Sequence, residues 1–100
     1  MRAFFSALFT KTYAAMPGAA ADLNLITEGQ AAYGVAGAQK CKRITVRTSD
    51  VMHVSYGKKQ DGSGEVTDTF TVANGDVIDR EIAVLFGDTT TITNFTVEWG

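Results

Sequence analysis

From residue 39 onward the side chains alternate between two faces with a period of two, and turn residues cut the alternation at short intervals. This pattern constrains the fold more than any other feature, because a strand presents every second side chain to the same side. Ile44, Val46 and Thr48 alternate with Arg43, Thr45 and Arg47, and Ser49–Asp50 marks a turn. Val51–Tyr56 sets Met52, Val54 and Tyr56 opposite Val51, His53 and Ser55. Gly57–Gly64 is polar and rich in glycine, as a hairpin tip should be. Val66, Asp68, Phe70 and Val72 then alternate with Thr67, Thr69 and Thr71, ahead of the turn signal Asn74–Gly75–Asp76. Glu81–Phe86 is the most apolar stretch and is expected at the centre of a sheet. After Gly87–Asp88, the stretch Thr91–Trp99 has Ile92, Val97 and Trp99 as inward positions. The inward parity shifts at Asn94–Phe95, which predicts a bulge.

Five or six strands at this spacing predict an all-β fold. The expected architecture is a small antiparallel β-sandwich, jelly-roll-like or immunoglobulin-like, with an N-terminal helical or extended arm. The Cys–Trp–Cys pattern of immunoglobulin domains is missing, and an OB-like barrel is the alternative. The chain has 100 residues, enough for one domain with a small core.

The first 38 residues differ in kind. Alanine crowds them, whereas threonine and valine crowd the rest, and these two sets favour different backbones. Phe5, Leu8, Phe9, Tyr13 and Met16 recur at helical spacing until Pro17–Gly18, which predicts a short amphipathic helix over 3–16, with an extended aromatic arm as the rival. Residues 19–38 read as a connector with a brief strand at Leu23 and Leu25, broken by Gly29, Gly34 and Gly37. The expected division is therefore an N-terminal arm and Ala/Gly-rich connector over 1–38 and a β-sandwich domain over 39–100. The apolar run Ala3–Phe9 is interrupted by Ser6 and closed by Lys11, so it is a poor secretory signal, and no stretch approaches the roughly 20 apolar residues of a membrane span. A soluble protein, retained whole, is expected.

Residue chemistry gives no nucleophile–base pair. The chain has one histidine, His53, in mid-strand, where a half-exposed structural role is the expectation. The one cysteine, Cys41, rules out an internal disulfide. It lies between Lys40 and Lys42, whose charges would lower its pKa if it were exposed; a structural thiol is favoured, with an intermolecular disulfide as a further option. Asp61 and Glu65, and Asp76, Asp79 and Glu81, are loop carboxylates of a kind calcium uses, but they lack the fixed ligand offsets of a calcium loop. No phosphate-binding loop is present. The expectation is a protein that is not an enzyme, with no cofactor and no metal.

The net charge of −2 conceals a division. Residues 1–59 carry eight basic and three acidic side chains, and residues 60–100 carry one basic and eight acidic. Two halves of +5 and −7 could register against copies of the chain or against a mixed-charge lattice. No aromatic residues are interleaved with the cluster Lys40, Lys42, Arg43 and Arg47, so nucleic acid is an unlikely partner. The aromatic N-terminal residues also need an apolar surface to cover them. The candidate interface residues are Phe4, Phe5, Leu8, Phe9, Tyr13, Lys40, Lys42, Arg43 and Arg47.

The stretch from Asp22 to Trp99 resembles the small structural proteins encoded among the head and tail genes of tailed bacteriophages. The likeness is carried by Asp22–Leu23–Asn24–Leu25–Ile26–Thr27, by the small-residue run to Ala38, and by Lys42–Arg43–Ile44–Thr45–Val46–Arg47–Thr48. It continues through the valine strand ending Tyr56–Gly57, the Asp76 turn and Asn94–Phe95–Thr96–Val97–Glu98–Trp99. The resemblance implies a virion component on the capsid exterior: a capsid decoration (cement) protein that binds the major capsid protein and copies of itself. A homo-oligomer is implied, with a trimer among the forms such proteins take, and no membrane partner. A tail, neck or head-fibre component is the alternative, and a carbohydrate- or calcium-binding β-module is a second.

Overall fold

The computed structural model describes residues 9–18, 20–33 and 40–99. Phe4, Phe5 and Leu8 lie outside them. Eight strands and one helix follow in the order β1 (Phe9–Tyr13), β2 (Leu23–Asn24), α1 (Leu25–Tyr33), β3 (Arg43–Thr45), β4 (Asp50–Lys58), β5 (Glu65–Val72), β6 (Val77–Ile78), β7 (Val84–Leu85) and β8 (Phe95–Trp99). They form two four-stranded antiparallel sheets, ordered β1-β8-β3-β6 and β2-β7-β4-β5. The sheets pack as a sandwich and do not close into a barrel, so the expected β-sandwich is present and the OB-like alternative is not. No helix among the described residues is long and apolar enough to cross a membrane.

The core follows the alternation. Ile44 and Val46, Met52 and Val54, and Phe95, Val97 and Trp99 are fully buried, joined by Leu25, Ile82, Leu85 and Ile92. The apolar stretch around β7 is central, as expected: β7 lies between β2 and β4. Just before it, Ile82 bridges Cys41, and the Ala83 N–H reaches the Ser55 carbonyl, so the chain crosses between the layers there. The parity shift before β8 is a single left-handed residue, Asn94 with φ of 52°, whose N–H donates to the Ala14 carbonyl. It lies outside the strand, where a bulge was expected.

Residues 9–13 are a strand, so the helix expected over 3–16 does not hold there and the extended alternative does. A spacing of four puts two residues on one face of a helix and also on one face of a strand, so Phe9 and Tyr13 satisfy both periods. Pairing with β8 decides between them. Phe9 sits opposite Trp99 and Tyr13 opposite Phe95, with ring centroids 5.9 and 5.2 Å apart. On the other face, the hydroxyls of Thr12 and Thr96 are 3.0 Å apart.

The second difference is α1, in a segment expected to be an irregular connector. Asn24 caps it: its Oδ1 accepts the N–H groups of Ile26 and Thr27 at 3.0 and 3.1 Å. Leu25 and Gly29, four apart, face the core. A Cβ on Gly29 would stand 2.6 Å from Trp99 Nε1, which donates to the Leu25 carbonyl at 2.9 Å. Gly29 therefore does not break the helix; it lets the helix lie against the indole.

Candidate functional site

The two sheets part along the side formed by β5 and β6. Each is the last strand of its own sheet, and among the described residues neither has a neighbour beyond it. β6 is short because the chain enters it from a tight turn. Gly75 takes a φ of 94°, Asp76 Oδ2 accepts the Ala73 N–H at 2.8 Å, and the Asp76 N–H returns to the Ala73 carbonyl. β5 is eight residues long, so β6, with two, covers only one end of it.

The result is graded burial along one face of β5. Val72 is buried, Phe70 half-buried, and Asp68 and Val66 exposed. Val66 and Val77 are the large exposed apolar residues among the described ones, 44% and 54% accessible. Between the strands lies a groove of about 430 Å³, lined by Asp68, Phe70, Val77, Ile78, Asp79 and Arg80. Phe70, Val77 and Ile78 supply its apolar surface. A polar row runs along the rim: Arg80 Nη1 donates to the Tyr56 hydroxyl at 3.1 Å, and that hydroxyl donates to Asp68 Oδ2 at 3.3 Å. The Arg80 guanidinium also lies 5.8 Å over the Tyr56 ring. Asp68 Oδ1 accepts the N–H of Thr69, its neighbour on the strand edge, at 2.9 Å. The groove suits an apolar, extended occupant beside a strand edge that can still make hydrogen bonds.

The basic side chains singled out in the sequence are brought to one region but not left as a bare stripe. β3 lies between β8 and β6, so it meets acidic neighbours on both sides. Arg43 pairs with Glu98 at 3.1 Å and approaches Asp79 at 3.7 Å. Arg47 Nη1 donates to Thr96 Oγ1 at 2.8 Å, and Lys40 Nζ to the Tyr56 carbonyl at 2.6 Å. Lys42 is exposed. Phe9 and Tyr13 pack on the chain's own core, and Tyr13 joins Lys11 in binding Glu28 Oε1, at 2.7 and 2.9 Å. Those two hydrogen bonds, the Tyr13 bond first, hold the Glu28 carboxyl below its ordinary pKa, while burial and the same carboxylate push the Tyr13 phenol up.

Cys41 is fully buried, as the favoured structural thiol should be, and the exposure that would let the flanking lysines lower its pKa is absent. Desolvation pushes the thiol up to about 11 instead. His53 keeps the structural role expected of it. Its Nδ1 lies 2.9 Å from Asp88 Oδ1, and its ring packs 4.6 Å from Phe86. The carboxylate can only accept, so Nδ1 is the donor, and that bond lowers the Asp88 pKa. Of the carboxylates weighed for calcium, Asp61 and Asp76 serve their own turns, Glu65 bonds across to β4, and Asp79 lies beside Arg43. Asp61 accepts from the N–H and hydroxyl of Ser63, Glu65 from the Ser55 hydroxyl, and Asp76 from Ala73. Among the described residues no group of three or more His, Cys, Asp or Glu side chains is placed to hold a metal ion.

The groove residues were not found from the sequence. Val77–Ile78, an apolar pair directly after a turn, was the available signal. Comparison of the chain with protein-family models, with curated proteins and with solved structures finds no match to any of them.

Proposed function

We propose that this chain is a non-enzymatic structural protein of a tailed-phage virion: a capsid decoration protein that binds the lattice of major capsid protein from outside and stabilises the head. The observation that carries the reading is the open side of the sandwich. An eight-residue strand whose outer edge has no neighbour among the described residues, beside an apolar groove, is a surface for another polypeptide, since strand addition supplies main-chain hydrogen bonds and the groove selects side chains. The resemblance of Asp22–Thr27, Lys42–Thr48 and Asn94–Trp99 to phage head and tail proteins supplies the setting. Together they describe a module that works by being held between neighbours, as a homo-oligomer on the shell.

The test is a count and a challenge. Purified virions should contain this chain in hundreds of copies, and particles lacking it should lose their contents at lower temperature or lower salt. A dozen copies or fewer would move the protein to the tail or neck. Its absence from the particle, or equal stability with and without it, refutes the proposal.

A further inference from the structure

We infer that the outer edge of β5 pairs with the same edge of a second copy of the chain, antiparallel and across a two-fold axis at Thr69. The inference rests on the reading of this edge as a protein-docking surface and names its occupant.

Three observations select a second copy. The first is the state of the edge. Among the described residues nothing lies beyond β5 in its sheet. Thr67, Thr69 and Thr71 stand opposite Ser55, His53 and Val51 of β4. The carbonyls of those β4 residues accept the N–H groups of Ala83, Phe86 and Thr91, so they point away from β5. Each is therefore a non-hydrogen-bonded pair of the β4–β5 ladder, and the main-chain groups of Thr67, Thr69 and Thr71 face outward. The Thr69 N–H agrees, since its acceptor is the Asp68 side chain. From Thr67 to Val72 the ladder runs in unbroken register, which keeps the outward groups evenly spaced. β5 contains no lysine, arginine or proline, the residues that blunt edge strands. β1, the five-residue strand at an edge of the other sheet, carries Lys11, and the edge strands β2 and β6 have two residues each.

The second is register. The outward residues of one copy must meet those of the other, so the axis passes through a residue and not between two. An axis at Asp68 would set the two Asp68 carboxylates directly opposite, like against like. An axis at Phe70 or at Thr67 would leave one end of β5 without a partner strand, Val66 in the first case and Phe70 in the second. An axis at Thr69 avoids both faults. Thr67, Thr69 and Thr71 then exchange main-chain hydrogen bonds with Thr71, Thr69 and Thr67 of the second copy. Asp68 faces Phe70, and the two carboxylates stand on a diagonal, about 7–8 Å apart. Each keeps its bond from the Tyr56 hydroxyl, with Arg80 behind it.

The third is the gradient of burial. On the groove face of β5, Val72 is buried, Phe70 half-buried and Val66 44% exposed. An antiparallel copy reverses that order. Val66 comes to lie opposite Val72 of the second copy, with Phe70 of that copy on the diagonal. The exposed end of each strand is covered by the buried end of the other, and the contact is isologous and closed.

The test uses the full chain in solution, with no capsid present. Sedimentation equilibrium should show a concentration-dependent equilibrium between monomer and dimer. Thr69→Lys and Thr69→Asp each set two like charges opposite one another at the axis and should each weaken association about tenfold. Mixed in equal amounts, the two variants should associate about as tightly as the wild type, because opposite charges then meet. Thr69→Pro removes the central outward N–H without touching the β4–β5 ladder and should be monomeric. Thr69 is exposed, so these variants should keep the fold, which circular dichroism and the fluorescence of Trp99 check. A wild-type chain that stays monomeric overturns the inference. So does association that either charged variant retains unchanged, or a mixture that binds no more tightly than its components. A monomeric wild-type chain present in virions in hundreds of copies would remove this dimer while leaving the decoration role standing.

Discussion

Replacing Gly29 with alanine tests the packing of α1 against the core with one methyl group. By helix propensity alone the change should stabilise the chain, since glycine in a helix interior costs about 0.5–1 kcal/mol relative to alanine. The structure reverses the sign. The new Cβ would stand 2.6 Å from Nε1 and 2.8 Å from Cδ1 of Trp99, an indole that is fully buried and cannot swing into open space. Overpacking of this kind costs about 1–3 kcal/mol. If the indole yields, its bond to the Leu25 carbonyl is strained or lost, at about 1–3 kcal/mol more for a buried donor. The net expectation is a loss of about 2–3 kcal/mol, or a fall in Tm of roughly 10 °C for a domain of this size. Denaturant unfolding followed by circular dichroism gives the stability. Fluorescence reports the site directly, because Trp99 is the chain's only tryptophan. Its emission should shift to the red as the ring leaves its pocket. In the double variant with Trp99→Phe the two costs should fall short of their sum, because the smaller ring leaves room for the methyl group. A Gly29→Ala variant that is more stable than wild type, with unchanged emission, would refute the reasoning.

The remaining expectations concern single contacts. Tyr13→Phe removes the shorter of the two bonds to Glu28 and should cost about 1 kcal/mol at neutral pH, modest because the pair is partly exposed. Glu28 has a folded pKa below its unfolded value, so its contribution is present above about pH 4.5 and is lost as pH falls through the folded value. Wild type and Tyr13→Phe should therefore converge in acid melts, and a gap that stays constant to low pH would contradict this. Cys41, buried with a pKa of about 11, should react with a thiol reagent at pH 8 only on the timescale of unfolding. Because its folded pKa is raised, the stability linked to it is intact below about pH 9 and declines as pH rises toward 11; Cys41→Ala should remove the part of that decline that begins near pH 9, leaving the part that the raised Tyr13 phenol adds above about pH 10. Gly87→Ala would drive a Cβ into the backbone of Ala21 and displace the turn that Asp22 fastens by accepting the Gly87 N–H; thermal melts should show a loss of about 2 kcal/mol or more.

The parts of the fold legible in the sequence were those whose cause is local. Ile44 to Thr48, Met52 to Tyr56 and Val66 to Val72 alternate because a half-buried strand must, and Asn74–Gly75–Asp76 turns because Gly75 can take a positive φ. The elements misread depend on what lies across from them. Phe9 and Tyr13 fit two periods, and only Trp99 and Phe95 on β8 choose between them. Gly29 looks like a helix breaker until the indole beside it is known. Cys41 has two lysines next to it in sequence, yet its thiol faces the core, where those charges do not set its pKa. The groove is less legible still. Its walls come from β5 and β6, which belong to different sheets, and its opening exists because one is eight residues long and the other two.

The charge division illustrates the same difference between order along the chain and order in space. Halves of +5 and −7 suggest a molecule with two poles. Folding joins the halves at Arg43, which lies on β3 between Glu98 on one side and Asp79 on the other, while Lys11 pairs with Glu28 inside the basic half. Charges neutralised within 4 Å of one another produce little field beyond a Debye length of about 8 Å. Arg43 therefore adds little to attraction between oppositely charged poles of successive copies. Among the described residues the features the fold leaves open include the edge of β5, the apolar pair Val66 and Val77, and the groove that Phe70 and Ile78 line. Association through such a surface would be driven by apolar burial and main-chain pairing, and so should weaken only slightly as salt is raised.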